Sequence, residues 1–162
     1  MILSDLQLRQ WGWRGVVPFS HDNVNPASID LTWSGKYRCS EGGGTWGEPR
    51  ELSSPSVLSL CRDCLYLFDT AEYVEMPAGC CGFLTLKSSM GRAGMNMLHM
   101  GLVDPGFQGT LSFEIQAVGP LPLMVEPGQR IVQIVLMRLE AEPQKVYNGH
   151  YQGNREPTER KA

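Results

Sequence analysis

Two stretches in the second half of the chain gather side chains that could do chemistry. The first, Ser88-Ser89-Met90-Gly91-Arg92-Ala93-Gly94, combines hydroxyl donors, a guanidinium and two glycines whose bare backbones let N–H groups approach a ligand, as phosphate binding requires. The second, Gly101-Leu102-Val103-Asp104-Pro105-Gly106-Phe107-Gln108-Gly109, puts a carboxylate and an aromatic ring on a glycine-rich bend. Each has a plainer reading: a polar turn with a solvated arginine, and an Asp-Pro-Gly turn whose carboxylate only shapes the loop. A further carboxylate follows at once. By the two-residue period of a pleated strand, Leu111, Phe113 and Ile115 share one face while Ser112, Glu114 and Gln116 share the other.

Other chemistries lack their motifs. Cys61-x-x-Cys64 followed by Cys80-Cys81 offers four thiols at a spacing loosely like a zinc ribbon. Adjacent residues on a strand point to opposite faces, however, so buried free thiols packed as small apolar groups are the better expectation. A zinc-dependent nucleobase deaminase needs His-x-Glu and Pro-Cys-x-x-Cys. Here His21, His99 and His150 are followed two places later by Asn23, Gly101 and Gln152, and Leu60 precedes Cys61. Neither a Gly-x-Ser-x-Gly elbow nor a Gly-Lys-Ser/Thr loop occurs. A formal charge of −3 supplies no basic field for nucleic acid or an anionic membrane, so neither is an expected partner.

These residues need a scaffold, and the composition points to a β-rich one. The 162 residues include 18 glycines and 11 prolines, about 18% against an average near 12%, in a length that suits one domain. Ser4 is placed to cap a short helix over Asp5 to Trp11, ended by Gly12. After the Asn25-Pro26 turn, Ile29, Leu31 and Trp33 alternate with Ser28, Asp30 and Thr32 as a half-buried strand. Glu41 to Ser56, with three consecutive glycines and two prolines, reads as a loop. Strands are expected at Val57–Leu60, Leu65–Phe68 and Phe83–Leu86, and a turn or short helix at Ser88–Gly94. Ile131 to Leu139, nearly all apolar behind the turn Glu126-Pro127-Gly128, should be a central strand. The segment from Asn148 to Ala162 has too little apolar content to order alone. No apolar run reaches the roughly 20 residues of a membrane span, and Met1 to Trp13 lacks the pattern of a secretory signal, so a cytoplasmic protein is expected.

Taken in order, the segments resemble the dCTP deaminase and dUTPase superfamily. The resemblance rests on Ser88 to Gly94, on Val103 to Gly109 and on Pro127 to Gln133, the family's Pro-Gly-x-x-Ile-x-Gln strand. It extends to Asn25-Pro26-Ala27-Ser28-Ile29-Asp30-Leu31, Glu72-Tyr73-Val74-Glu75-Met76-Pro77 and Tyr151-Gln152-Gly153. It implies an all-β, distorted jelly-roll protomer with a short N-terminal helix. A β domain over 1–147 would be followed by a flexible tail over 148–162 that closes on the active site, and three copies would share sites between subunits.

Within that superfamily the resemblance makes Glu114 the branch point, because a glutamate there is the general acid/base of the deaminases. It implies hydrolysis of dCTP to dUTP and ammonia without zinc, with Mg²⁺ carried mainly by the triphosphate. Glu114, Ser88 and Arg92 would be catalytic. Lys87, Ser89, Asp104, Phe107, Gln133, Tyr151 and Gln152 would bind substrate, Asp104 at the 3′-hydroxyl and Phe107 against the sugar. A bifunctional enzyme that also cleaves dUTP to dUMP and pyrophosphate is a further expectation, since the short approach Gly101-Leu102-Val103-Asp104 resembles bifunctional members. The rivals are a dUTPase or other dNTP pyrophosphatase, and a catalytically silent nucleotide-binding module. Lys87 stands where the family usually has Arg, and Met95 to Met100 lacks a Thr-Ala pair and is one residue short. Such departures mark a divergent member, with a viral source among the options.

Overall fold

A strand as apolar as Ile131 to Leu136 is stable only where both its faces are covered, and that is where it lies. The structure, a computed structural model, describes residues 1–42, 45–120 and 122–159. The first half contains α1 (Asp5–Gly15), β1 (Val16–Val17), β2 (Val24–Asn25), β3 (Ser28–Gly42), β4 (Thr45–Trp46), β5 (Arg50–Glu51), β6 (Leu58–Leu60) and β7 (Leu65–Thr70). Next come β8 (Tyr73–Glu75), β9 (Cys80–Leu86), α2 (Ser88–Arg92), β10 (Met95–Met97) and β11 (Gly101–Val103). The last strands are β12 (Gln108–Gly109), β13 (Ser112–Ala117), β14 (Leu123–Val125) and β15 (Arg130–Arg138).

The main sheet runs β10-β13-β7-β3-β15-β9-β11, and β2, β4 and β5 also pair with β3. Two smaller sheets, β1-β8-β12 and β14-β6, complete a mostly antiparallel β fold. The curl begins in β3, which pairs with β15 from Ile29 to Thr32 and with β7 from Trp33 to Cys39. The register shifts between Trp33 and Tyr37, around Gly35 at φ +93°. A Cβ at Gly35 would sit 2.2 Å from the Leu52 carbonyl oxygen, so only glycine allows this bend and close approach.

Beneath the bend, Trp33 stacks on Phe68 with centroids 4.5 Å apart, and Phe113 meets Phe68 edge-on at 5.9 Å. All three rings are fully buried. Burying each such side chain contributes about 1.5–3 kcal/mol, which fixes β13 against β7 and thereby the face that carries Glu114.

Four expectations are corrected. The helix does not stop at Gly12 but continues to Gly15; Gly12 is kept in it because the Phe19 ring packs where a Cβ would be, 2.3 Å from it. The stretch 41–56 is not all loop: β4 and β5 pair with β3, though Gly43 and Gly44 lie outside the described residues. The polar face of β3 is not solvated, since Ser28 and Asp30 are buried. Finally, the thiols are not uniformly buried: Cys80 is, whereas Cys61 is exposed.

Candidate functional site

Glu114 projects from the polar face of β13, where it lies opposite Leu67 of β7. Its backbone carbonyl accepts from Leu98 N–H at 3.3 Å, just beyond β10. The side chain borders a cavity of about 440 Å³ whose wall also includes Asp104, Phe107, Tyr147, Tyr151 and His99. Glu114 Oε2 is buried and receives no hydrogen bond. His99 Nδ1 is 3.0 Å away, an ion-pair distance when the imidazole is protonated but out of line for a hydrogen bond. An acceptor withdrawn from water and left unpaired is costly, and it leaves the carboxylate ready for a ligand's donors.

The Asp104 turn forms the opposite rim. Phe107 N–H donates to Asp104 O at 3.2 Å, with Gly106 at φ +80° between them. Phe107 is buried, and Tyr147 meets its ring edge-on at 5.5 Å. The last segment, which composition alone could not order, is held by backbone pairing. Tyr147 N–H donates to Pro105 O at 2.7 Å, Gly153 N–H to Gln108 O at 2.7 Å, and Thr110 N–H to Asn154 O at 2.8 Å. The Asn154 side chain donates to Glu156 O at 2.7 Å and to Ser112 Oγ at 3.3 Å, while Arg38 Nε donates to Pro157 O at 3.1 Å. Tyr151 reaches the cavity; Gln152 instead bridges the turn, donating to Gly106 O and accepting from Gln108 N–H, both at 3.0 Å.

The other expected site residues lie elsewhere. Ser88, Ser89 and Arg92 sit exposed on α2, and no side-chain bond engages them among the described residues. Gly94 O accepts from Val118 N–H at 2.8 Å and Gly119 N–H at 3.0 Å. Val118 is four positions beyond Glu114, just past the end of β13, so Gly94 is anchored about 13 Å along the strand direction from Glu114. Lys87 forms an ion pair with the buried Asp30, whose other oxygen accepts from Asn25 Nδ2 at 2.8 Å. Gln133 lies opposite Asp30 in the same ladder and accepts from Ser28 Oγ at 3.4 Å.

The chain therefore brings together Glu114, Asp104, Phe107 and Tyr151, and leaves Ser88, Ser89, Arg92, Lys87 and Gln133 outside the wall of that cavity. Sequence reasoning missed Tyr147, Asn154 and Thr158 in the cavity wall, and reached His99 only as part of the Met95 to Met100 stretch. Tyr147 had a signal, an aromatic ring in an otherwise polar segment.

A second, larger cavity of about 660 Å³ lies at the other end of β7, lined by Asp69, Lys36, Tyr73, Glu75, Thr110 and Arg155 among others. Burial pushes the Asp69 carboxyl up to about 6, against the opposing pull of the Thr110 and Ser112 hydroxyls. Its Oδ2 is buried without a hydrogen bond. Glu72, also raised by burial, accepts from Thr32 N–H and Oγ1, both at 2.9 Å, and is a structural clasp between β3 and β8. Among the described residues no group of three or more His, Cys, Asp or Glu gathers to hold a metal, and no helix is long and apolar enough to cross a membrane.

Comparison with known proteins gives a consistent answer. A family model described as dCTP deaminase-like matches residues 2–139. The chain is 30% identical over 164 residues to the dCTP deaminase, dUMP-forming, of Aquifex aeolicus, covering 96% of this chain and 91% of that one. It is 33% identical over 186 residues to the protein of the same name from Rhodococcus jostii, covering 100% and 96%. Both sources are bacterial, and nothing in them supports a viral origin. Among solved structures, the fold is similar to the 2′-deoxycytidine 5′-triphosphate deaminase of Agrobacterium tumefaciens, with a TM-score of 0.70 and 24% identity. That match covers 83% of this chain and 46% of that one, so this chain spans about half of its length. The dUTPase of Staphylococcus bacteriophage 80alpha is similar at TM-score 0.50 and 17% identity, covering 78% of this chain and 79% of that one.

Proposed function

Since the chain belongs to the dCTP deaminase-like family, we propose that it hydrolyses dCTP to dUTP and ammonia and carries the product on to dUMP and pyrophosphate. The observation that carries this reading is Glu114 Oε2, buried without a hydrogen bond, 3.0 Å from His99 Nδ1 and facing a cavity that Asp104 and the last segment also line. Deamination at C4 of cytosine needs one group to take a proton from the attacking water, deliver it to N3 and then protonate the departing amine. A carboxylate with one oxygen buried at the wall of a cavity is suited to all three transfers. The sequence lacks the His-x-Glu and Pro-Cys-x-x-Cys motifs that zinc deaminases use, which favours Glu114 acting without zinc.

Asp104 would accept from the deoxyribose 3′-hydroxyl, with the buried Phe107 ring and the half-buried Tyr147 ring packed against the sugar to disfavour a 2′-hydroxyl. The dUMP-forming step is supported by the names of the relatives, and in it Asp104, on the cavity wall, would orient a second water. Magnesium would arrive with the substrate, on the oxygens of its triphosphate, where it neutralises phosphate charge. Hydroxyls and a guanidinium remain to be supplied to the base and phosphates. Ser88, Ser89 and Arg92, exposed on α2 and outside this cavity's wall, would meet the cavity of a second copy, and a closed trimer would complete three such sites.

Incubating the protein with dCTP and Mg²⁺, without added zinc, and following ammonia and pyrophosphate in one tube tests this. Both products are expected in equal amounts; ammonia alone would remove the second step. Pyrophosphate without ammonia would transfer the assignment to a dNTP pyrophosphatase. Neither product, with dUTP also untouched, would leave a silent nucleotide-binding module.

A further inference from the structure

The proposed activity makes no use of Cys61-x-x-Cys64. These cysteines flank the tight turn between β6 and β7, with Sγ atoms 2.8 Å apart. That is less than 1 Å longer than a disulfide bond of about 2.05 Å. We infer that Cys61 and Cys64 are a reversible thiol–disulfide pair, a covalent site for small disulfide oxidants, tied through Arg62 to the turn that follows Arg92.

Three features make the pair asymmetric in the way exchange requires. Cys61 is exposed, so an oxidant can reach its sulfur, whereas Cys64 is half-buried behind it. The Tyr66 hydroxyl oxygen accepts from Cys61 N–H at 3.0 Å, leaving its O–H to donate to Cys61 Sγ, also at 3.0 Å. With Cys64 S–H and Tyr66 O–H both directed at it, the Cys61 thiol is lowered from its ordinary value, and Asp63 opposes this only weakly. The same pairing, with burial and the neighbouring Cys39, holds Cys64 up at about 12. Cys61 is thus the attacking sulfur and Cys64 the resolving one.

The exchange balances without any other reagent. Cys61 thiolate attacks a small disulfide RSSR, forming a mixed disulfide and releasing RS⁻. Cys64 then gives up its proton and attacks the Cys61 sulfur, releasing the second RS⁻. Two protein thiols are oxidised, one external disulfide is reduced to two thiols, and a thiol such as glutathione reverses the reaction.

Arg62, between the two cysteines, carries the consequence. Its guanidinium donates to Val118 O at 3.2 Å and to Gly119 O at 2.9 Å. The N–H groups of those two residues donate to Gly94 O, two positions after Arg92, and Gly94 packs so tightly on Gly119 that a Cβ would lie 2.5 Å from the Gly119 Cα. Closing the disulfide draws Cys61 Sγ off Tyr66 and shifts the turn from which Arg62 reaches. The clamp on Val118 and Gly119 then loosens, whether or not Arg92 meets a nucleotide.

The test equilibrates the full chain with mixtures of reduced and oxidised glutathione, alkylates free thiols, digests with trypsin and maps the products by mass spectrometry. Trypsin cuts after Arg62, so a Cys61–Cys64 disulfide leaves two fragments joined. The joined pair should form under oxidation, disappear with reductant, be absent from C61S and C64S and persist in C39S. Amide exchange at Val118 and Gly119 should then be about tenfold faster in the oxidised protein. Failure of the pair to form, a Cys39–Cys64 link instead, or stoichiometric zinc that protects these thiols would overturn the redox site. A disulfide with unchanged exchange at Val118 and Gly119 would overturn the link to the Arg92 turn.

Discussion

The Glu114 cavity and the Ser88–Arg92 turn are consecutive stations along β10 and β13, yet the chain completes one and leaves the other open. Around Glu114 the polar groups of the rim are spent internally: the Asp104 turn, the Tyr147 N–H and Asn154 all have partners within the chain. On α2 the hydroxyls of Ser88 and Ser89 and the guanidinium of Arg92 face solvent with none among the described residues. Polar groups fully satisfied inside a fold add rigidity and little recognition, whereas exposed, unspent ones cost nothing to keep and can be used by a ligand or a second copy. The first region is preorganised within the chain, and under the proposed function the second would supply from another copy the groups it lacks.

The largest expected effect comes from removing the charge of the Glu114 carboxylate in the first region. Glu114→Gln should lower ammonia release by about 10²- to 10⁴-fold while dCTP affinity, followed by calorimetry, changes only several-fold. Loss of binding instead would make Glu114 structural and erase the contrast. Next, mixing the two inactive variants Glu114→Gln and Arg92→Ala should restore about a quarter of wild-type activity, because in a ring of shared sites that fraction pairs one intact half from each copy. No recovery would mean that both halves serve the same chain.

A stability effect of intermediate size is expected beside the cavity. Asp69, opposite Ser112 at the start of β13, titrates near 6 because it is buried. Its protonated form therefore stabilises the fold fully below its unfolded value near 4, and that contribution is lost as pH rises through about 6. Asp69→Asn should accordingly raise thermal stability near pH 8 by an amount on the order of 1–3 kcal/mol, with the two melting curves converging below about pH 4. A constant difference at all pH values would place the cause outside Asp69 ionisation. The smallest effect should come from Asn154→Ala, which removes the side-chain bonds from Asn154 to Glu156 and Ser112. At about 1 kcal/mol net, KM for dCTP should rise several-fold with kcat nearly unchanged, as steady-state kinetics would show.

Several elements were legible in short stretches of sequence. Strands β13 and β15 follow from their apolar periods, α2 from a stretch of small residues, and the bend before β15 from Pro127-Gly128, where Gly128 takes φ +83°. Strands β4 and β5 were not legible, because each is two residues long and exists only by pairing with β3. The helix was read one turn short because glycine ends helices by propensity, and the Phe19 ring that needs Gly12 to be bare is a tertiary neighbour. Lys87 was read as a phosphate ligand, and its buried partner Asp30 comes from a strand 57 positions away. Tyr147 and Asn154 were missed because their role is to close a cavity whose other wall is remote in sequence.

The sequence by itself determined which side chains are available, their alternation along β13 and the family to which their order belongs, because period and motif are properties of a short stretch of backbone. Only the tertiary structure decided that Glu114 and Asp104 share a cavity, that the final segment orders over it, and that Arg92 faces away. Those outcomes depend on which strands pair and which polar groups find partners, and pairing is settled by the free energy of the whole sheet rather than by any window of residues.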